Sequence, residues 1–345
     1  MSVVRFLARL GAEPDSMHTS PLWIQALTRR TRYGTAFRVR SGAAMIVAVL
    51  PILVGTALLP LSARAQSSTL SPPSNVQTQE ALTVLNAIRR RLSLPALSLD
   101  PRLCAAASGH CAYLNVNHLL DHQEEPRFAN YIAADPAGRA AHFGYTGSCF
   151  ENIRQGGGTM SDAILEMLNG PYHRAPLLQP GVFAAGISGS ARLTTLLFGQ
   201  SADSGVVVYP ADGQRDIPTT WNGAELPDPL RVHPEATAHG ACGYPITINA
   251  YAADGVLLSD VTATLTTAAG AAVPIYLNTP ANDDLLSGGA ILIPVQPLLP
   301  DTTYQVAFQA KDDSGHTITR TWRFTTLAPV APVPLPLRTS SLNRR

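Results

Sequence analysis

Residues 149–174, CFENIRQGGGTMSDAILEMLNGPYHR, contain the features that decide the fold of the first half of this chain. Apolar side chains recur at helical spacing over 160–169, and the run stops at Asn169-Gly170-Pro171, which predicts a helix that ends there. Glu151 and His173 lie on either side of this predicted helix. Functional side chains are often found in segments that connect regular elements, so both residues are candidates for a site.

Helices are predicted before this stretch and strands after it. A helical repeat precedes Pro95 and comprises Leu82, Leu85, Ile88 and Leu92. Asp100-Pro101 predicts the start of a second helix, because aspartate caps helices and proline suits the first turn. Residues 118–158 are predicted to be rich in loops, with a short helix near 132–143. Strands are predicted at 182–188, 194–198 and 206–209. This order predicts one α+β unit over residues 77–215.

The second half of the chain has the pattern of an all-β domain. Residues 216–242 are rich in proline, show little periodicity and are predicted to be a linker. Apolar and polar residues alternate repeatedly over 243–327, which predicts a β-sandwich. Residues 328–345 are again rich in proline, and we expect a disordered tail there.

Composition excludes two classes of protein. The chain has 345 residues, of which 25 are Lys or Arg and 24 are Asp or Glu, so its formal net charge is +1. This balance gives no support to a nucleic-acid binder, which needs a basic face. The hydrophobic fraction of 46% is too high for a chain that is disordered throughout.

Residues 1–65 predict export. The uncharged run from Ser41 to Ala63 follows an arginine-rich segment and ends at Ala63-Arg64-Ala65, a small-x-small cleavage pattern. The run is also long enough to cross a bilayer as an uncleaved anchor, and a later start at Met17 or Met45 is a further alternative. With 1–65 as leader and 66–76 as linker, the folded part is expected to be secreted or held in the cell envelope.

Four cysteines in an exported chain favour disulfide bonds. Cys104 and Cys111 are seven residues apart on a predicted helix, about 10 Å, which is too far for a bond between them. Cys149 is therefore expected to pair with one of them and Cys242 with the other, unless part of the set is reduced.

Three residues are candidate metal ligands: His122, Glu151 and His173. Two imidazoles and a carboxylate are ligand types that zinc accepts, and water could take a fourth position. Their spacing of 29 and 22 residues does not show that they converge. Among neighbouring polar residues, we expect His110 to pack in the core and Arg139 to form a buried ion pair. Glu124 and Glu125 are expected in a solvated loop.

A series of motifs in this order resembles one known family. The motifs are Leu85 to Arg89, Leu103 to Ala107, His122, Gly138-Arg139-Ala140 with Gly144-Tyr145, Glu151-Asn152-Ile153, His173-Arg174 with Leu177-Leu178, and Gly186-Ile187-Ser188. The series is similar to the bacterial branch of the CAP superfamily, which comprises cysteine-rich secretory, antigen 5 and pathogenesis-related 1 proteins, also called SCP-like extracellular domains. The likeness covers about residues 77–212.

The resemblance implies an α-β-α sandwich with a central cleft. By position, it places His122, Glu151 and His173 in that cleft, where some members bind zinc or a similar divalent ion. It puts the family's second glutamate on the third helix, near Glu166, and implies that Asn86 and Arg89 are structural. The chain departs from the bacterial pattern at Met167, where tryptophan is usual, and at Gly170-Pro171-Tyr172, which replaces Ser-Pro-Gly. These departures alter the cleft wall.

The second unit resembles the immunoglobulin-like or fibronectin-like modules that follow CAP domains in some exported bacterial proteins. This likeness lies in Leu299 to Tyr304 and Thr321 to Thr326. Such modules usually act as spacers or binders.

Three functions are consistent with these features. The first is a non-enzymatic exported binding protein whose cleft takes a small ligand or a protein partner. The second is a metal-assisted hydrolase with Glu151 as general base, although the sequence has no HExxH and no GxSxG motif. The third, implied by relatives of the family, is binding of a lipid or sterol. A membrane would be a partner only through an uncleaved leader.

Overall fold

The computed structural model describes residues 76–223, 225–236, 242–252 and 255–329. The predicted leader, nearly all of the predicted linker 66–76 and the predicted tail beyond residue 329 lie outside these ranges. Within the ranges, none of the helices combines the length and apolar character that crossing a bilayer requires.

Five α-helices form; four lie where the sequence predicts helices, whereas the fifth, Pro171–Leu177, was not predicted and contains His173. They are α1 (Val76–Arg91), α2 (Pro101–Asn117), α3 (Pro136–His142), α4 (Met160–Asn169) and α5 (Pro171–Leu177). Asp100 caps α2 as predicted, since its side chain accepts hydrogen bonds from the backbone N–H groups of Arg102 and Leu103. Thr159 and Asp162 cap α4 reciprocally.

The first sheet separates two layers of helices. Its strands are β1 (Ser98–Leu99), β2 (Cys149–Gln155), β3 (Val182–Gly189) and β4 (Leu193–Gln200), in the order β1-β3-β4-β2. Ala185 and Ile187 of β3 pack in one cluster with residues of α1 and α4, whereas Ala184 packs with residues of α2 and α3. Successive residues of a strand point to opposite faces, so the unit is the predicted α-β-α sandwich.

Two local features of this sandwich were not evident from the sequence. The strand β2 lies within 118–158, a region that was predicted to be rich in loops. The strand was missed because its central residues are all buried, so its sequence shows no alternation of apolar and polar residues. In addition, β3 passes very close to α2. A Cβ atom on Gly186 would lie 2.1 Å from the carbonyl carbon of Leu103, so only glycine fits there.

Nine further strands build the second unit. They are β5 (Gly205–Tyr209), β6 (Gln214–Ile217), β7 (Ile246–Tyr251), β8 (Ser259–Thr267), β9 (Ala272–Val273), β10 (Ile275–Asn278), β11 (Gly289–Pro294), β12 (Thr303–Lys311) and β13 (Thr317–Thr326). They form two sheets, in the orders β10-β11-β7-β5 and β6-β13-β12-β8-β9. This all-β arrangement is the predicted immunoglobulin-like sandwich.

Two of these strands come from the segment that the sequence grouped with the first unit. The strand β5 forms at the predicted 206–209, but it pairs with β7, and β6 pairs with β13. The sheet of the first unit therefore ends at Gln200. An apolar run specifies a strand but carries no information about which sheet it joins, so the sequence could not show this.

The two units pack against each other through a continuous core. One cluster of buried apolar residues includes Leu168 of α4, Tyr209 of β5 and Tyr244 just before β7. The guanidinium of Arg174 is buried at this contact, 4.6 Å from the ring centre of Tyr209 and 5.2 Å from that of Tyr244. It donates to the carbonyl oxygens of Leu168 and Pro245, which joins α4 to the sandwich.

The predicted disulfide bonds are not formed. Cys104, Cys111 and Cys149 are free thiols, which excludes both expected bridges within the described residues. The physical reason is that Cys111, Cys149 and Cys242 pack in three different apolar clusters. Cys149 packs against the cluster beneath α2 and α3, Cys111 belongs to a second cluster with Tyr113, and Cys242 belongs to a third within the sandwich. Burial raises the pKa of all three free thiols.

Candidate cleft site

His122 is held by a buried carboxylate. It lies in the loop between α2 and α3, and its Nδ1 is 3.0 Å from Oε2 of Glu151 on β2. Arg139 of α3 donates to both oxygens of Glu151 at 3.0 Å and to the backbone oxygen of His122. A carboxylate that pairs with a guanidinium acts as an acceptor, so Nδ1 of His122 carries the hydrogen. The ring therefore presents Nε2 outward, and half of its side chain is exposed.

A buried polar cluster supports this pair from beneath. Nδ1 of His110 lies 2.8 Å from Oε1 of Glu124, and Nε2 of His110 lies 2.9 Å from the carbonyl oxygen of Asp121. Burial would raise the pKa of Glu124, but hydrogen bonds from His110 and the backbone of Ile132, together with the charge of Arg139, hold it below its usual value.

Of the four polar neighbours whose environments were predicted from the sequence, three lie as expected and one does not. His110 is buried and Arg139 forms a buried ion pair, which confirms both predictions. The prediction of a solvated Glu124 was wrong, because this side chain is buried between His110 and Arg139. Glu125 is exposed, as expected. Adjacent glutamates in a loop without periodicity give no signal that separates the buried one from the exposed one.

His173 is held by a carboxylate that the sequence did not single out. Nδ1 of His173 on α5 lies 2.9 Å from Oε1 of Glu225, and the backbone N–H of His173 donates to the same oxygen at 2.9 Å. Asn152 of β2 donates to the carbonyl oxygen of His173 at 2.8 Å. The Asn152 bond places His173 next to the residue that follows Glu151, which connects the two histidine sites through β2.

Glu166 does not reach this site. Its Oε2 accepts a hydrogen bond from Arg154 at 2.7 Å, and more than half of its side chain is exposed. The expectation that Glu166 lies near the position of a second cleft glutamate is corrected accordingly: the carboxylate beside His173 is Glu225, from the predicted linker 216–242. Glu225 was missed because it lies beyond the residues that resemble the family.

Gly170 makes room for Glu225. A Cβ atom on Gly170 would lie 2.6 Å from Oε1 of Glu225, which is shorter than any normal contact. Gly170 belongs to the Gly-Pro-Tyr sequence that departs from the bacterial pattern. Together with Met167, this departure was the signal in the sequence that the cleft wall near the second histidine is altered.

Both histidines line one cavity. The cavity has a volume of about 560 Å³ and is bounded on the first unit by His122, Asn152 and His173. The sandwich and the segment before it contribute a largely apolar wall, which includes Leu226, Pro227, Tyr251, Leu285 and Leu286. The cavity thus joins a polar side with two imidazoles to an apolar side, which is typical of a site for a small ligand.

The donor set of the cleft does not match the three-residue metal site expected from the sequence. Both oxygens of Glu151 are occupied by Arg139, and its side chain is fully buried. Across the described ranges, no three or more His, Cys, Asp or Glu side chains are grouped as a metal site. Two imidazoles, those of His122 and His173, are the candidate ligands that border the cavity.

An ion-pair network closes the edge of the cavity beside Tyr172. The hydroxyl of Tyr172 donates to Asp283, which also accepts from Asn278 and Arg231. Burial alone would raise the pKa of Asp283, but these hydrogen bonds hold it below its usual value. Since Tyr172 belongs to α5 and Asp283 to the sandwich, the network fixes the sandwich wall against the helix that carries His173.

This network predicts a dependence of stability on pH. A carboxyl whose pKa is lower in the folded state stabilises the fold above its unfolded pKa, about 3.9 for aspartate, and this stabilisation is lost as pH falls through the folded pKa. Asp283→Asn should therefore be less stable than the parent at neutral pH and lose less stability on acidification below about pH 4. Urea unfolding at a series of pH values measures both.

Asp284→Asn is the matched control, because the Asp284 side chain is 88% exposed although it also contacts Arg231. It should follow the parent's pH dependence. If Asp283→Asn also follows the parent, the network does not hold its carboxylate in the way described.

Residues 82–190 match the family model "CAP: Cysteine-rich secretory protein family". No curated protein matches the chain. Several solved structures are similar over about a third of the chain, with TM-scores below 0.5.

An extracellular protein containing an SCP domain from Bacillus anthracis has 22% identity and a TM-score of 0.33, and the match covers 36% of this chain and 40% of that one. An outer surface protein from Borrelia burgdorferi has 17% identity and a TM-score of 0.32, over 37% and 95%. A cysteine-rich secretory protein from Staphylococcus aureus has 15% identity and a TM-score of 0.29, over 37% and 40%. With the family match and the α-β-α sandwich together, residues 82–190 are a CAP domain of the cysteine-rich secretory protein family, followed by an immunoglobulin-like β-sandwich.

Proposed function

We propose that this chain is an extracytoplasmic, non-enzymatic binding protein whose cavity takes a small ligand through Nε2 of His122 and Nε2 of His173. One observation carries the proposal: both histidines line the same cavity, and each has its Nδ1 held by a buried carboxylate. The leader-like residues 1–65 support a place outside the cytoplasm, secreted or in the cell envelope.

A divalent cation, with zinc as the first candidate, is the ligand that this chemistry favours. Histidines that bind metals usually give their other ring nitrogen to a carboxylate or carbonyl, which fixes the tautomer and raises the basicity of the free nitrogen. Zinc accepts imidazole nitrogen in sites of four ligands. With two nitrogens from the chain, the cation would keep positions for water or for a polar group of a bound molecule.

The apolar wall of the cavity indicates what else the ligand carries. Leu226 and Leu285 are large apolar side chains that are 75% and 48% exposed, and both face the cavity. A molecule with a metal-binding polar end and an apolar body would cover them. The same apolar wall is the observation that favours the alternative ligand, a lipid or sterol.

The hydrolase alternative receives less support. A general base must be free to accept a proton from water. Both oxygens of Glu151 accept from Arg139, and Oε2 also faces Nδ1 of His122, so this carboxylate orients His122 instead.

Titration calorimetry with Zn²⁺ tests the proposal. In the full chain purified from an exporting host, one Zn²⁺ should bind, and His122→Ala or His173→Ala should each weaken binding by about tenfold or more, which is about 1.4 kcal/mol. His316→Ala is the control, since its side chain is 79% exposed in the turn between β12 and β13. Equal affinity in the parent and both cleft variants would refute a shared metal site.

A further inference from the structure

We infer that Glu225, which lies outside the CAP domain, is a positioning residue of the cleft that sets the orientation and tautomer of His173. The inference deepens the proposed function and rests on it for its ligand. It assigns a role to the segment between the two units, which the sequence predicted to be only a linker.

The hydrogen bonds of Glu225 determine which nitrogen of His173 faces the cavity. Oε1 lies 2.9 Å from the backbone nitrogen of His173 and 2.9 Å from Nδ1 of the same residue. A backbone N–H can only donate, so Oε1 is an acceptor there. The ring Nδ1 that converges on the same oxygen then also carries a hydrogen. Nε2 is left as the ring's acceptor, and the ring orientation is fixed relative to its own backbone.

Burying the carboxylate of Glu225 costs free energy of folding. Its side chain is fully buried, and among the residues that the structure describes Oε2 has no hydrogen-bond partner. Removing a carboxylate from water costs several kcal/mol, which its remaining hydrogen bonds and charged partners must offset. Glu151 is compensated by Arg139, whereas within the described ranges the charged-type partner of Glu225 is the imidazole of His173. Its two hydrogen bonds to His173 therefore account for the presence of a carboxylate at this buried position.

Residues on both sides of the contact between Glu225 and His173 are arranged to accommodate it. Gly170, immediately before α5, leaves the space that Oε1 occupies, since a Cβ there would lie 2.6 Å away. The two residues after Glu225, Leu226 and Pro227, line the cavity. Glu225 thus fixes His173 and also fixes the segment that supplies part of the opposite, apolar wall.

The test compares Glu225→Gln with Glu225→Met in the full chain. Glutamine keeps a carbonyl oxygen that can accept both hydrogen bonds, whereas methionine has a similar length and no acceptor. Nitrogen-15 NMR at about pH 8, above the ordinary pKa of histidine, reports which ring nitrogen is protonated. We expect an Nδ1–H tautomer for His173 in the parent and in Glu225→Gln, and a change towards Nε2–H in Glu225→Met.

Two further measurements separate positioning from a structural role. Glu225→Met removes the acceptor of the His173 backbone N–H, so it should unfold at a lower urea concentration than the parent. Measured without urea, where both proteins are folded, it should bind Zn²⁺ about 10–100-fold more weakly, as loss of such supporting carboxylates typically does. Glu225→Gln should retain most of the affinity. Gly170→Ala should reproduce the Glu225→Met tautomer, because its Cβ displaces the carboxylate.

The outcomes distinguish this inference from the proposed function. If Glu225→Met leaves both the tautomer and the Zn²⁺ affinity unchanged, Glu225 does not position His173. A ring of His173 that is doubly protonated in the parent also overturns the inference. If the parent binds no Zn²⁺ but the tautomer changes in Glu225→Met, the positioning role holds and the metal proposal fails.

Discussion

Arg139→Ala should lower the free energy of unfolding by about 3–5 kcal/mol, the cost expected when one member of a buried ionic cluster is removed. The guanidinium is fully buried, donates to both oxygens of Glu151 and lies 3.7 Å from Glu124. Its loss leaves two carboxylates buried with imidazole as their remaining ionic partner. Urea unfolding followed by circular dichroism measures the loss.

The control for this change lies in the loop that precedes α3. Arg127 pairs with Glu125 at 2.8 Å, but both side chains are more than half exposed. Exposed pairs contribute less than about 1 kcal/mol, so Arg127→Ala should be close to the parent. Similar losses for Arg139→Ala and Arg127→Ala would contradict the buried cluster beneath His122.

Arg89→Ala should also lower the free energy of unfolding by about 3–5 kcal/mol, through a cavity and through unsatisfied carbonyl groups. Arg89 is fully buried on α1 and donates to the backbone oxygens of Pro95, Leu177, Gln179 and Val182. Burial lowers its pKa to about 10, so it stays charged at neutral pH. The variant's midpoint in urea, against that of the parent, gives the size of the effect.

Arg90→Ala provides the comparison on the same helix, because Arg90 is exposed and a change there should stay within about 0.5 kcal/mol. Arg89→Lys should recover only part of the loss, since one ammonium group cannot reach four carbonyls as a planar guanidinium does. If Arg89→Ala is as stable as Arg90→Ala, the hydrogen bonds of Arg89 to these four carbonyl groups do not stabilise the fold.

Local patterns predicted the local structure well. The Asp100-Pro101 start of α2, the end of α4 before Gly170 and the strands of the sandwich follow directly from caps, breakers and alternation. The order of motifs around Glu151 and His173 was sufficient to identify the CAP domain. These features depend on residues close together in the chain, which a single sequence can report.

Long-range features could not be predicted in the same way. Glu225 meets His173 across 52 residues, and nothing in its own segment marks it as buried. Glu124 and Glu125 are chemically alike, and only the position of Arg139 in the fold decides which is buried. The disulfide prediction was wrong because export favours bridges in general, whereas the actual positions of the cysteines depend on packing.

The metal content of the full chain, purified from an exporting host, tests most directly whether His122 and His173 act together. Elemental mass spectrometry should find close to one zinc or similar divalent ion per chain. The ion should be absent from a His122→Ala, His173→Ala double variant that unfolds at the same urea concentration as the parent. A parent protein that holds no metal and takes up none on dialysis against Zn²⁺ would contradict the proposal that the cleft binds a cation.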